Sequence, residues 1–210
     1  MAIVNGYTDL DSLKKRLYSA NPNMVEDPTD DVALENVIEA VSRFIDSPLG
    51  LNRVFYATTA TRYFTPRTNM RVVIDDLLSV TTLKTDFDGD GTYETTWATT
   101  DYRLNPMNKT PKIEIQKTPF GVNYFPTIDG EGVEASVQVV GSFGYCAIAD
   151  RPETITEACI LGAMRVWGRK DLTFGISGSA ELGSQQAVVA LKNDSEFMSM
   201  LKSVAKRLIY

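Results

Sequence analysis

The sequence predicts an α+β protein: a discontinuous small helical bundle with an inserted antiparallel β-rich domain of sandwich-like or barrel-like form. Three observations carry this. Apolar residues recur at helical spacing near both ends of the chain, they alternate with period two from about 60 to 146, and turn residues punctuate that middle stretch at short intervals. Two helical pieces at opposite ends most simply pack on each other. That places the helical core at 1–58 and 148–210 and the insert at 59–147.

Taken in order, the first helix is short. Thr8 or Asp9 caps a run through Leu10, Leu13 and Leu17, closed by Asn21-Pro22-Asn23. A longer helix follows at about 30–46. Thr29, Asp30 and Asp31 crowd its start, where carboxylates favour the positive end of the dipole. Leu34, Val37, Ile38, Val41, Phe44 and Ile45 form its apolar face, and Ser47-Pro48-Leu49-Gly50 ends it.

The β-rich stretch opens with β-branched and aromatic runs at 61–65 and 70–74, separated by Pro66-Arg67-Thr68-Asn69. Residues 79–98 read as a hairpin around Asp88-Gly89-Asp90-Gly91. Opposing Leu83 to Trp97 and Phe87 to Tyr93 puts all four on one face and requires an odd-length loop, which the three residues Gly89, Asp90 and Gly91 satisfy, with Gly91 in the left-handed position of a bulge. Ile113 and Ile115 alternate with Lys112, Glu114 and Gln116. At 134–143, Ala135, Val137, Val139 and Phe143 alternate with polar residues.

Helical periodicity returns after Pro152, with Ile155, Cys159, Ala163 and Val166 as the stripe and Arg165, Arg169 and Lys170 toward the far end. Residues 171–187, with Gly175, Gly178, Gly183 and three serines, read as a mobile loop. A last helix starts near 195, with Phe197, Leu201, Val204 and Leu208 on one side and Lys202, Lys206 and Arg207 in its last turns.

Composition narrows the function. The chain has 210 residues and no histidine, which removes Ser-His-Asp and Cys-His catalysis and HExxH zinc sites. Its formal charge is −6, with 13 basic against 21 acidic groups in 1–150 and 8 against 6 in 151–210. A balance this acidic lacks the basic footprint of a nucleic-acid binder. Cys146 and Cys159 do not make a disulfide framework and fit reduced thiols in a reducing compartment. No signal peptide or membrane span is expected.

Three motifs invite chemistry. Asp86-x-Asp88-x-Asp90-Gly91 matches the first half of a calcium loop, but its twelfth position is Trp97 rather than a bidentate Glu, and the hairpin explains both glycines. The expectation is a solvated acidic turn, with no metal and no cofactor. Asp75 and Asp76 are neighbours in a strand and point to opposite faces, so they do not form a glycosidase-like pair. Phe120, Tyr124 and Phe125, between Pro119 and Pro126, suit packing or subunit contact better than a stacking platform for sugar. No catalytic residue is expected.

Several stretches resemble the head-to-tail connector (adaptor, or head-completion) proteins of tailed bacteriophages. The opening helix and Asp30-Asp31, followed by Leu34-Glu35-x-x-Ile38-Glu39-Ala40-Val41-Ser42-Arg43-x-Ile45-Asp46, look like the start of such proteins. Leu77-Leu78-Ser79-Val80-Thr81-Thr82-Leu83-Lys84-Thr85-Asp86, then Asp88 through Trp97 and Asp101-Tyr102-Arg103-Leu104, resembles the β-insert of longer members. The helix from Pro152 fits their third. The resemblance covers about two thirds of the chain and omits 118–132 and 171–187.

The resemblance implies a virion protein at the head-tail junction, assembled in the host cytoplasm. It would form a homo-oligomeric, twelve-fold ring beneath the portal protein that joins capsid to tail, extends the DNA channel and presents a platform to a neck or tail-completion protein. DNA passes through it without specific binding, and no membrane is involved. Lys202, Lys206, Arg207 and Tyr210 are the expected portal-binding residues, because they combine local positive charge with the chain end. The alternatives are a carbohydrate- or host-binding β-module of a tail, and another neck component such as a head-closure protein.

Overall fold

The computed structural model describes residues 3–20, 27–169, 176–177, 186–187 and 190–205. The chain divides into two units, one of residues 1–53 with 151–210 and one of residues 54–150. The fold is mixed α+β, with four helices and an antiparallel sheet among the described residues.

The first unit is built on α1 (Leu10–Ala20), α2 (Asp31–Asp46), α3 (Glu153–Trp167) and α4 (Ser195–Lys202). Asp9 starts α1, its carboxylate accepting from the Ser12 N–H at 2.7 Å and from the Ser12 hydroxyl at 2.9 Å. Asp27 accepts from the Thr29 N–H and begins a short 3-10 turn, Pro28–Asp30, that runs into α2. Leu34, Ile38, Val41, Ser42 and Ile45 are the buried stripe of α2.

α3 packs against α2 at close range. The Ser42 hydroxyl lies 3.5 Å from the Cys159 sulfur. A Cβ at Gly162 would sit 2.8 Å from Val41 and 3.0 Å from the Phe197 ring, so only glycine lets the helices approach this far. The buried face of α3 is wider than the predicted stripe. It includes Ala158, Ile160, Gly162 and Trp167 beside Ile155, Cys159 and Ala163, whereas Val166 is half-buried. α3 is sandwiched by other helices, and a one-sided stripe describes only a helix with one partner.

Asp194 caps α4 by accepting from the Phe197 N–H at 3.0 Å, and it also pairs with Arg165. Phe197 and Leu201 are fully buried, with the Phe197 ring 5.9 Å from Phe44. α4 is shorter than the sequence predicts, because it ends at Lys202 and turns at Ser203.

In the second unit the strands are β1 (Thr58–Phe64), β2 (Arg71–Thr85), β3 (Thr95–Thr96), β4 (Tyr102–Asn105), β5 (Lys112–Lys117), β6 (Thr127–Ile128), β7 (Glu131–Gly132) and β8 (Val137–Phe143). The main sheet runs β1-β8-β2-β5-β4, with β3 on β2, and every pairing is antiparallel. It is open, so the barrel-like form is not realised, and no second large sheet faces it among the described residues. Trp97 and Phe125 come from loops and take the place a second sheet would fill. Their rings stack at 4.5 Å and join Val72, Ile74, Leu77, Leu83, Ile115, Val137, Val139 and Phe143 in one core.

β2 is long enough to pair with β5 along its first half and with β8 along its second. Irregularities between Leu77 and Ser79 and between Val80 and Thr82 shift its buried side twice. Val72, Ile74 and Asp76 are buried, then Leu77, then Val80 is the half-buried residue on the core while Ser79 and Thr81 are exposed, and finally Leu83 and Thr85 are buried. A bulge does this by inserting an unpaired residue, which a strict period of two does not anticipate. Leu83 stands opposite Trp97, as the hairpin register requires, with the Trp97 N–H donating to the Leu83 carbonyl at 2.9 Å. Phe87 and Tyr93 do not continue the pair into the core. The ladder stops at Thr85 and Thr95, Phe87 is 48% exposed, and Tyr93 turns its ring toward Tyr63. Ala135 is not in a strand either, since its φ is 52° and β8 begins at Val137.

Residues 171–187, read from sequence as a mobile loop, contain a short antiparallel ladder between β9 (Ile176–Ser177) and β10 (Gln186–Ala187). The rest of that stretch lies outside the described residues.

Candidate functional site

Of the residues predicted to bind the portal, Lys202 is exposed at the last position of α4. Lys206, Arg207 and Tyr210 lie outside the described residues. The chain just beyond α4 is tethered, because Arg53 donates to the Val204 carbonyl at 3.0 Å.

A groove opens on the first unit between α1, α3 and α4. It has a volume of about 310 Å³ and an apolar floor of Ile160, Leu161, Met164 and Met200. Ion pairs stand at its edges, Arg16 with Glu157 and Arg165 with Glu196. Sequence reasoning missed this groove, since nothing in a helical stripe says which apolar residues a third helix leaves uncovered.

On the second unit the aromatic loop splits into two parts. Phe125 is an anchor, 1% exposed and stacked on Trp97. Phe120 and Val122 point the other way, 96% and 79% exposed. Tyr124 is half-exposed beneath Lys117, whose ammonium lies 4.3 Å from the ring centre.

The backbone between these parts is held at both ends. The Thr118 N–H donates to the Asp101 carbonyl, the Thr118 hydroxyl to the Thr100 carbonyl, and the Phe125 N–H to the Asn69 carbonyl. Asn123 donates to the Asp101 carboxylate at 3.1 Å. Gly121 presses so closely on Asp101 that a Cβ would sit 2.8 Å from its carbonyl oxygen. Beyond Phe125 the chain forms a small hairpin, β6 with β7, around Asp129-Gly130 at φ 52° and 87°. Val122 was not singled out from sequence, because exposure of one apolar residue in a loop has no sequence signal.

The acidic turn is also ordered from within. Asp86 is buried and accepts from the Gly89 N–H at 2.7 Å and the Gly91 N–H at 2.8 Å, with both glycines at positive φ. Burial opposes ionisation of Asp86, but these N–H groups outweigh it and hold the carboxyl below its ordinary value. Carboxylate oxygens of Asp86, Asp88, Asp90 and Glu94 lie within 4.8 Å of one another, a set with the chemistry to hold a hard cation. Glu94 was absent from the sequence motif and is brought in by the turn.

Asp75 and Asp76 do not converge. Asp75 points outward and pairs with Arg62 at 2.6 Å, while Asp76 is buried on the other face. Burial of Cys159 pushes its thiol up to about 11, so it is protonated at neutral pH.

No family model matches the chain. No curated protein matches it either. Solved structures do. One is titled the neck of an empty gene transfer agent particle computed with C6 symmetry, at 15% identity over 100% of this chain and 95% of that one, with a TM-score of 0.57. A second is the virion of a native gene transfer agent particle, at 16% identity over 100% and 95%, also 0.57. A third, the neck of the native particle computed with C12 symmetry, matches at 15% identity over 100% and 94%, again 0.57. From end to end, this chain has the fold of a chain in those particles, two of them described as necks.

Proposed function

We propose that this chain is a structural, non-catalytic adaptor of a particle neck. In this reading identical subunits form a ring beneath the portal, join capsid to tail and extend the channel through which DNA passes. The observation that carries it is the breadth of the likeness. It covers all of this chain and nearly all of each neighbour, helical pieces and insert together, in necks computed with C6 and C12 symmetry. A tail-derived sugar-binding module would be expected to share the insert alone.

The chemistry is consistent with this role. The buried thiol is protonated, the Asp75 and Asp76 carboxylates face apart, and the insert's 12 acidic against 8 basic groups disfavour gripping the phosphate backbone. Lys202, with Lys206, Arg207 and Tyr210 following it, supplies the element that docks on the portal.

Co-purification with portal protein tests the reading, with glycan binding as the control. Retention on immobilised portal supports it, and binding to glycans without portal binding contradicts it. Deleting residues 206–210 is expected to leave folding intact and reduce portal retention. Undiminished retention would show that the docking element lies elsewhere in the chain.

A further inference from the structure

We infer that Phe120 and Val122 of one copy seat in the groove between α1, α3 and α4 of the next copy around the ring. This rests on the ring reading above and names the contact that would build it.

A closed ring of identical chains needs a heterologous contact, so each subunit must carry two different patches that complement each other. Phe120 and Val122 supply a convex one. They are exposed at 96% and 79% on a loop whose backbone is held to Thr100, Asp101 and Asn69. A loop ordered in advance loses little freedom on docking, and a preorganised aromatic is the usual anchor of an interface. The groove supplies the concave patch, apolar at its floor and with its charges already paired at the rim. An apolar centre with a polar rim is the arrangement of protein interfaces, and the two methionines can adapt to an entering ring.

Charge favours this pairing over insert against insert. Residues 54–150 carry 8 basic and 12 acidic groups, net −4, whereas the unit that holds the groove, 1–53 with 151–210, carries 13 and 15, net −2, and the charges Arg16, Glu157 and Glu196 at the groove's rim are paired within it. Contact of the insert with that unit is therefore less repelled than contact with a second insert. A sugar is disfavoured at Phe120, because the neighbouring polar side chains Thr118 and Asn123 are engaged by Thr100 and Asp101.

The test places p-benzoylphenylalanine at position 120 in assembled particles and irradiates them. The expected product is a covalent dimer of this chain, with residue 120 linked to a peptide carrying Leu161, Met164 or Met200. A link to a different protein, a link to another part of a second copy, or no dimer in particles that contain the chain would overturn the inference. As a second variant, Phe120→Asp should melt as the unaltered protein does, yet enter particles about tenfold less. Incorporation at the normal level would overturn the inference while leaving the ring reading intact. Absence of the unaltered chain from purified particles would remove both.

Discussion

The two units solve the same problem, covering an apolar face, with different parts. In the helical unit the cover is another helix, and close approach is bought with small residues, Gly162 and Ser42. In the β unit no second large sheet faces the main one among the described residues, and two loop aromatics, Trp97 and Phe125, close the core. The difference has a consequence for function. A helix that covers a core is committed to it along its length, but a loop can bury one residue and expose others three and five positions away. Phe125 is buried while Phe120 and Val122 stand in solvent.

The sharpest way to break this comparison is to remove a loop aromatic from the β core. Phe125→Ala is expected to cost about 4 kcal/mol, the range for deleting a fully buried aromatic, read as a fall in the denaturant midpoint. Phe120→Ala should stay within about 0.5 kcal/mol of the unaltered protein. Equal effects of the two would show that the loop is not divided into an anchor and an exposed tip.

In the helical unit, Gly162→Val should cost about 2–3 kcal/mol by overpacking against Val41 and Phe197. A neutral result would mean that α2, α3 and α4 separate easily, contrary to their close approach.

A smaller effect belongs to the start of α1. The Ser12 N–H holds the Asp9 carboxyl below its ordinary value of 3.8. The stability this supplies is present above that value and is lost as pH falls through the depressed folded-state value. Asp9→Ala should cost about 1 kcal/mol at pH 7 and progressively less in acid, measured by urea unfolding across pH. A cost that stays constant into acid would exclude the carboxylate as its source.

The smallest expected effect is at the acidic turn. Both oxygens of Asp86 already serve the turn's own N–H groups, so millimolar calcium should leave the melting temperature unchanged. A calcium-dependent rise that Asp88→Ala abolishes would make this turn a metal site.

The legibility of the two units differs for the same physical reason. Helical spacing revealed α2 and the faces of Leu34, Ile38 and Phe197, because a helix buries a stripe that its own sequence must encode. Parity likewise set Leu83 opposite Trp97. It failed at Phe87 and Tyr93, where Asp86 takes over the backbone and ends the ladder. The groove and the exposed pair Phe120 and Val122 were not legible, since both depend on what distant elements leave uncovered.

The most direct test of the account is imaging of the particle at the resolution of single side chains. The account predicts a closed ring of this chain between portal and the next neck component, with insert and helices both present in every subunit. A neck whose ring is built from another protein, with this chain absent or found on the tail, would contradict it.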